Sequence, residues 1–168
     1  MNQHRSDILK LLSYREEVKP SDVEGIREIV DSTGFFKPDE IQVAAELAQE
    51  RLTKGIPSGY YFLFAEYEEK PIGYTCFGPI ACTGASYDLF WIAVHYDYRG
   101  LGLGKELMRR SEEIISRLGG RRIYVETSSI EKYVPTRAFY LNCGYKIEAE
   151  LEDFYYPGDA KVIFLKTV

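Results

Sequence analysis

Three glycines at every second position stand past the middle of the chain, between an apolar run and an amphipathic one. Gly100, Gly102 and Gly104 follow residues 89–94, L-F-W-I-A-V, which carry no charge and are typical of a strand buried on both faces. Glycine lets the backbone adopt positive φ, and it lacks the Cβ atom that would hold an anion away from successive N–H groups. The spacing predicts a turn that binds phosphate.

A helix is predicted directly after this turn, over residues 102–118. Its N-terminal N–H groups and the positive end of its dipole favour an anion, and Arg99 and Lys105 add two cations. A glycine cluster taken alone is equally compatible with an ordinary tight turn. The apolar residues that recur with helical period are Leu103, Leu107, Met108, Ile114 and Ile115.

Two standard phosphate-binding motifs do not fit these residues. A Walker loop needs Ser or Thr after its Gly-Lys pair, whereas Glu106 follows Gly104-Lys105. A dinucleotide-binding fold needs G-x-G-x-x-G after the first strand, whereas this turn has a different spacing and comes late in the chain.

Residues 99–104, R-G-L-G-L-G, resemble the [QR]-x-x-G-x-[GA] signature of the GNAT acyltransferase superfamily, and Trp91-Ile92-Ala93-Val94 resembles the strand that precedes it there. In that family the turn binds the pyrophosphate of acetyl-CoA. The resemblance extends over residues 20–165. It implies an α/β (α+β) fold: a mixed, mostly antiparallel sheet of about seven strands, splayed at a central parallel pair and flanked by about four helices. We expect a single acetyltransferase domain over residues 1–168.

The hydrophobic pattern places the other elements. A strand is predicted at 13–18, a helix after Pro20 with Ser21 and Glu24 at capping-box spacing, and a second helix from Pro38 to Gly55. Residues 60–67 and 71–79 read as a β-hairpin, and residues 87–94 as the central strand. The remaining elements are a strand at 122–127, a helix at 134–143 and two further strands, at 145–155 and 162–168. Residues 1–12 remain unassigned.

The resemblance also implies which residues hold the donor. The turn binds through its backbone N–H groups, and the end of the preceding strand pairs with the pantetheine amides. The Val94 N–H takes the oxyanion role there. The predicted cofactor-binding residues are Ile92, Val94, His95, Tyr96, Arg99, Gly100, Leu101, Gly102, Leu103, Gly104, Lys105 and Tyr133.

Tyr140, in R-A-F-Y-L-N-C-G-Y, matches the family tyrosine that protonates the leaving thiolate. A tyrosine with a pKa of about 10 can serve a thiolate near 8.5 at a cost of about 2 kcal/mol. The alternative is a core aromatic on a short helix. Tyr133 stands where the family commonly has an asparagine, which puts the usual side-chain contact to pantetheine in doubt.

The proton-accepting base has three candidates, Asp88, Glu126 and Glu66. Direct transfer from a lysine-like amine to an ordinary carboxylate costs roughly 8–9 kcal/mol, and from an α-amine roughly 5 kcal/mol. Transfer through water, or to a carboxylate whose pKa burial has raised, is therefore expected. A solvated acid or a helix cap is the alternative for each.

The acceptor is open: polyamine, amino acid, antibiotic and protein N-terminus all fit. Phe35-Phe36 could line its pocket or pack under the second helix. The turn at 155–160, Y-Y-P-G-D-A, resembles a peptide-gripping turn of N-terminal acetyltransferases, but it lacks one acidic position of that motif, and we favour a plain Pro-Gly turn. A non-catalytic acetyl-CoA sensor is the alternative function.

Composition bounds the partners. A net charge of −5 argues against nucleic acid and is compatible with a cationic amine. Cys76, Cys82 and Cys143 have no paired spacing, and no apolar run is long enough for a membrane span, which favours the cytoplasm. With His4 and His95 as the only histidines, no metal site is expected. Monomer and homodimer are both open.

Overall fold

A computed structural model describes residues 8–168, so Met1 to Asp7 and their part of the unassigned segment lie outside the described residues. The strands are β1 (Ser13–Arg15), β2 (Tyr61–Tyr67), β3 (Lys70–Pro79), β4 (Ser86–Val94), β5 (Arg122–Ser128), β6 (Lys146–Tyr156) and β7 (Asp159–Thr167). Four longer helices occur in residues 8–168: α1 (Asp22–Ser32), α2 (Pro38–Lys54), α3 (Leu103–Arg117) and α4 (Val134–Asn142).

The strands form one seven-stranded sheet in the order β1-β2-β3-β4-β5-β7-β6. The β1–β2, β2–β3, β5–β7 and β6–β7 pairs are antiparallel. β4 and β5 run parallel, and their register covers three pairs, from Ser86 with Arg122 to Asp88 with Tyr124. The predicted mixed sheet with a central parallel pair is confirmed.

The chain divides into two compact units. The first contains the residues up to Gly78 together with Trp91–Ser111, and the second contains Pro79–Phe90 and Glu112–Val168. β4 and α3 therefore each contribute residues to both units. Among residues 8–168, no helix is long and apolar enough to cross a bilayer.

The core of the first unit lies between α1, α2 and the hairpin of β2 and β3. Phe62, Phe64 and Tyr74 stack there with ring centroids 5.8–6.4 Å apart. The small residues of α2 let the helix approach the strands closely. The buried members of this cluster are Ile26, Ile29, Val30, Ala44, Ala45, Ala48, Phe62, Phe64, Tyr74, Cys76 and Ala93.

A buried ion-pair network joins β1, α1 and β2. The Arg15 guanidinium donates to both Asp22 carboxylate oxygens at 2.8 and 2.9 Å and to Glu66 Oε1 at 2.7 Å. Asp22 also accepts the Lys19 N–H at 2.6 Å, whereas the Ser21 side chain makes no capping hydrogen bond. The predicted capping box is therefore wrong, because the Asp22 carboxylate holds the start of α1 instead.

Glu66 is thereby engaged in structure. Its side chain is 10% exposed and accepts from Arg15 Nε as well, at 2.9 Å. Two nitrogens of one guanidinium donate to the same Glu66 oxygen, so the carboxylate has a structural role in the ion-pair network. We therefore drop Glu66 as a candidate base.

The second unit buries one face of its strands under α4 and the C-terminal half of α3. Tyr140 lies with its ring centroid 5.5 Å from that of Phe164 and 6.2 Å from that of Tyr145. β6 forms the edge of the sheet and is exposed along almost its whole length. Apolar side chains such as Ile147 and Phe154 and four carboxylates, Glu148, Glu150, Glu152 and Asp153, share this edge strand.

Candidate active site

The glycine turn of the first unit has the backbone that an anion site requires. Gly100 and Gly102 have φ of 73° and 80°, and α3 begins at the next residue, Leu103. A Cβ built on Gly102 would meet no atom within 4 Å, so the space in front of it is open. Gly104 lies in the first turn of α3 and does not have positive φ. Two of the three glycines therefore shape the turn, and Gly104 continues the helix.

Two cations stand at this turn without a carboxylate partner in residues 8–168. Arg99 is exposed, donates from Nη2 to the Thr33 carbonyl at 3.3 Å, and lies 5.4 Å from the Tyr96 ring centroid. Lys105 is exposed and makes no ion pair within the described chain. Their charge is available to an anionic ligand.

Glu106, the carboxylate of this first helical turn, is ion-paired with two arginines. Arg109 and Arg110 donate to Glu106 Oε1 at 2.8 and 2.7 Å. These hydrogen bonds, Arg109's first, lower the pKa of Glu106 to about 2. Because Glu106 forms ion pairs with two arginines of its own helix, it would repel a bound phosphate less than a carboxylate without ion pairs would.

The end of β4 keeps its backbone pairing with β3, since the His95 N–H donates to the Ile72 carbonyl at 2.8 Å. His95 Nδ1 accepts the Asp97 N–H at 3.3 Å and caps the short 3₁₀ turn Tyr96–Tyr98. Ile92 and Val94 are half-buried at the strand end, and Tyr96 is 62% exposed. The oxyanion role of the Val94 N–H stays a prediction.

In the second unit, three charged groups come together on one face of the sheet. Lys161 Nζ lies 2.8 Å from Glu126 Oε2 and 3.8 Å from the centroid of the Phe154 ring. The β5–β7 register explains this, because Ser128 pairs with Lys161 and Glu126 with Ile163. Asp88 pairs with Tyr124 two residues before Glu126, on the neighbouring strand.

Asp88 is the unpaired member of this group. It is half-buried, and among residues 8–168 its carboxylate has no hydrogen bond or ion pair. Burial raises the pKa of Asp88, the negative charge of Glu126 raises it further, and Lys161 acts in the opposite direction.

Tyr140 is 6% exposed, enclosed by the rings of Phe139, Tyr145 and Phe164. Burial raises the pKa of its hydroxyl above the ordinary tyrosine value. A tyrosine whose pKa has risen is a weaker acid. Its pKa is therefore close to that of the leaving thiol only if the thiol is buried as well, since burial also raises the pKa of a thiol.

Tyr133 ends the short 3₁₀ turn Glu131–Tyr133 and is half-buried. It lies close enough to Tyr155 to affect it electrostatically, and burial, followed by Glu126, raises the pKa of Tyr155 to about 12. Tyr133 therefore stands near the charged group of β5 and β7.

Sequence reasoning missed Lys161. The available signal was a lysine within an otherwise apolar strand, A-K-V-I-F-L, where a cation needs a partner. Phe36 supports the packing interpretation of the Phe35-Phe36 pair, because its ring centroid lies 5.0 Å from that of Trp91.

Comparison with known proteins agrees with the geometry. The model of the acetyltransferase (GNAT) family matches residues 25–145. The chain belongs to the GNAT acetyltransferase family. A GNAT-family crystal structure from Desulfovibrio desulfuricans is 42% identical, with a TM-score of 0.92, covering 93% of this chain and 98% of that one. No curated protein sequence matches significantly.

More distant structures share the GNAT fold. An aminoglycoside 6'-N-acetyltransferase complexed with coenzyme A is 19% identical, with a TM-score of 0.75, covering 93% of this chain and 96% of that one. A ribosomal-protein alanine N-acetyltransferase from Escherichia coli is 16% identical, with a TM-score of 0.73, covering 94% of each chain. At these identities the likeness concerns the fold alone.

Proposed function

We propose that this GNAT protein is an N-acetyltransferase that uses acetyl-CoA and passes the acetyl group directly to a primary amine. The observation that carries the proposal is the turn before α3, where two glycines of positive φ stand beside Arg99 and Lys105. Backbone N–H groups at a helix N-terminus, together with cations that have no carboxylate partner in the described residues, are suited to a pyrophosphate. The coenzyme A complex of the aminoglycoside acetyltransferase, which has the same fold, supports this choice of donor.

Acetyl-CoA supplies an activated acetyl thioester, and the chain has to supply binding and proton transfer. The turn residues would hold the pyrophosphate, and the ends of β4 would pair with pantetheine. The Val94 N–H would donate to the thioester carbonyl oxygen as it gains negative charge. Tyr133 remains a proposed contact of the donor.

The acceptor nitrogen loses two protons in the reaction. The acceptor ammonium first loses a proton to Asp88 or Glu126, so that its nitrogen carries a free electron pair. The nitrogen then forms a bond to the acetyl carbon, the carbon–sulfur bond breaks with its electrons on sulfur, and Tyr140 gives its proton to the thiolate. The second nitrogen proton restores Tyr140 through solvent.

The acceptor class follows from charge. Asp88, Glu126 and Lys161 sum to one negative charge when all are ionised, and the aromatic rings of Phe154 and Tyr155 already face a cation in Lys161. Such surroundings favour a cationic amine over an anionic or neutral acceptor. A small-molecule amine and a peptide N-terminus both satisfy this requirement.

Thiol release tests the proposal. Purified protein with acetyl-CoA is mixed with a polyamine, an aminoglycoside, a free amino acid and a peptide with a free N-terminus, and free CoA is followed. We expect amine-dependent release with at least one of them and acetyl-CoA binding in calorimetry. Binding without turnover across a broad panel would support a sensor instead, and absence of binding would refute both.

A further inference from the structure

The two carboxylates near β5 are in different situations. The Glu126 side chain is 55% exposed and lies in contact with the Lys161 ammonium, at 2.8 Å. Asp88 is half-buried and has no hydrogen-bond or ion-pair partner in the described chain. The Lys161 ammonium already occupies one oxygen of Glu126. Both oxygens of Asp88 are left to an acceptor amine by the described residues.

Lys161 is held firmly in this position. Its side chain is only 14% exposed and spans the faces of Phe154 and Tyr155, with Nζ 3.8 and 5.9 Å from the ring centroids. The start of β7 is tied to the end of β5: Ser128 Oγ donates to Asp159 Oδ1 at 2.5 Å, and the Ala160 N–H donates to Ser129 Oγ at 2.8 Å. These hydrogen bonds hold the backbone beside Lys161, and the two rings and Glu126 are the contacts of its ammonium.

We propose that Lys161 is a positioning residue that engages Glu126 and so leaves Asp88 as the carboxylate that accepts the proton of the acceptor ammonium. This inference rests on the proposed function, because it concerns the amine acceptor of that reaction. One N–H bond of the ammonium breaks, one O–H bond forms on Asp88, and the nitrogen keeps the electron pair that attacks the acetyl carbon. Asp88 later returns the proton to solvent.

The raised pKa of Asp88 agrees with this division of roles, and the charged groups that act on it are Glu126 from β5 and Lys161 from β7. The other titratable groups around the cluster are Tyr124 on β5, the register partner of Asp88, Tyr133, Tyr155 on β6 and Asp159 at the start of β7. Removing Lys161 should raise the pKa of Asp88, because a stabilising cation is lost. Replacing Glu126 should lower it, because a like charge is lost.

Carbon-13 NMR titration of the Asp88 carboxyl tests the electrostatic part without any substrate. In Lys161→Met we expect the pKa of Asp88 to rise by about half a unit to one unit, and in Glu126→Gln to fall by a similar amount. The double variant should return towards the wild-type value. Lys146→Met, which removes an exposed lysine of β6, is the matched control and should leave the pKa unchanged.

Turnover with the best amine of the panel tests the catalytic part. Asp88→Asn should lower kcat/KM by about a hundredfold or more. Glu126→Gln should keep activity within about tenfold and move the acid limb of the pH profile to lower pH, whereas Lys161→Met should move it to higher pH. A variant that is merely destabilised would lose activity without moving this limb.

Three outcomes would overturn the inference. The pKa of Asp88 could stay unchanged in Lys161→Met, Asp88→Asn could keep full activity, or Glu126→Gln could abolish it while Asp88→Asn does not. These differ from failure of the proposed function, which would appear as no turnover with any amine and would remove the proton-accepting role as well.

Discussion

The glycine turn and the charged cluster of β5 and β7 use opposite means to handle charge. The turn presents backbone N–H groups and two cations, Arg99 and Lys105, that have no carboxylate partner in residues 8–168. In the cluster, Lys161 and Glu126 form an ion pair, and the Asp88 carboxylate has no partner among residues 8–168. In the proposed reaction the turn would bind an anion whose charge stays constant, whereas the cluster would change its own charge during each cycle.

This difference explains why the two regions are built from different atoms. Positive φ at Gly100 and Gly102 orients backbone N–H groups, and these hydrogen-bond donors do not titrate. Proton transfer needs side chains whose pKa values depend on one another, and strands that bring residues from distant parts of the chain into contact supply them. Four predictions separate the regions, from the largest expected effect to the smallest.

Tyr140→Phe should slow acetyl transfer without weakening acetyl-CoA binding. We expect kcat to fall by about 10²- to 10⁴-fold, because the thiolate loses its proton donor, while the affinity for acetyl-CoA in calorimetry changes little. Tyr145→Phe is the matched control, since Tyr145 is a second buried tyrosine of the same aromatic cluster. Equal losses in the two variants would mean that Tyr140 is only a core residue.

Gly102→Ala should weaken the binding of acetyl-CoA. The new Cβ enters the open space before α3 at a φ of 80°, so we expect the affinity for acetyl-CoA to fall by about tenfold to a hundredfold. Gly59→Ala has nearly the same φ, 78°, and the same open surroundings, and it should cost similar stability without affecting binding. Unchanged affinity in Gly102→Ala would refute the pyrophosphate assignment.

Arg99→Gln and Lys105→Gln should each weaken acetyl-CoA binding by about threefold to tenfold at low salt, because each removes a cation from the phosphate site. The difference from wild type should shrink as salt is added and charges are screened. Lys54→Gln, which breaks an exposed ion pair with Glu50, should leave binding unchanged. An equal loss in that control would point to net charge alone.

The smallest expected effect is on the pH dependence of the free energy of unfolding, which has opposite signs for Asp88 in the charged cluster and Glu106 at the glycine turn. Asp88 has a raised pKa in the fold, so folding is favoured below its unfolded pKa and loses that contribution as pH rises through the folded value. Asp88→Asn should therefore raise the free energy of unfolding at pH 7 and not at low pH. Urea titrations at several pH values measure this.

Glu106 should show the opposite dependence. Its pKa is lowered to about 2, so it stabilises the fold above the ordinary carboxyl range and loses this contribution as pH falls towards 2. Glu106→Gln should cost about 0.5–1 kcal/mol at pH 7, since the pair is partly exposed, and less in acid. The same sign in both variants would mean that the assigned electrostatics are wrong.

Much of the fold and the backbone of the glycine turn could be predicted from sequence because both depend on local pattern, whereas donor binding at the turn stays a prediction. The hairpin and the end of α2 at Gly55 were confirmed, since the alternation of apolar residues and the position of glycine act over a few residues. The capping box at Ser21 was wrong because the Asp22 carboxylate, and not the Ser21 hydroxyl, accepts a backbone N–H at the start of α1. Arg15 of β1 holds that carboxylate in position.

The charged cluster depends on strand register, which sequence does not reveal. Glu126 and Lys161 are far apart in the chain, and only the pairing of Ser128 with Lys161 brings them together. Lys161 was therefore absent from the predicted site, and the two carboxylates looked equivalent. Their difference in burial and pairing appears only when β4, β5 and β7 are aligned.

The edge strand β6 has a consequence for how the protein behaves in concentrated solution. An exposed strand with apolar side chains such as Ile147 and Phe154 could template association with other chains. Two copies laid edge to edge would bring their carboxylates Glu148, Glu150 and Glu152 into repulsion, which disfavours that contact at neutral pH. The charges of this one strand thus oppose the self-association that its exposed apolar side chains would favour.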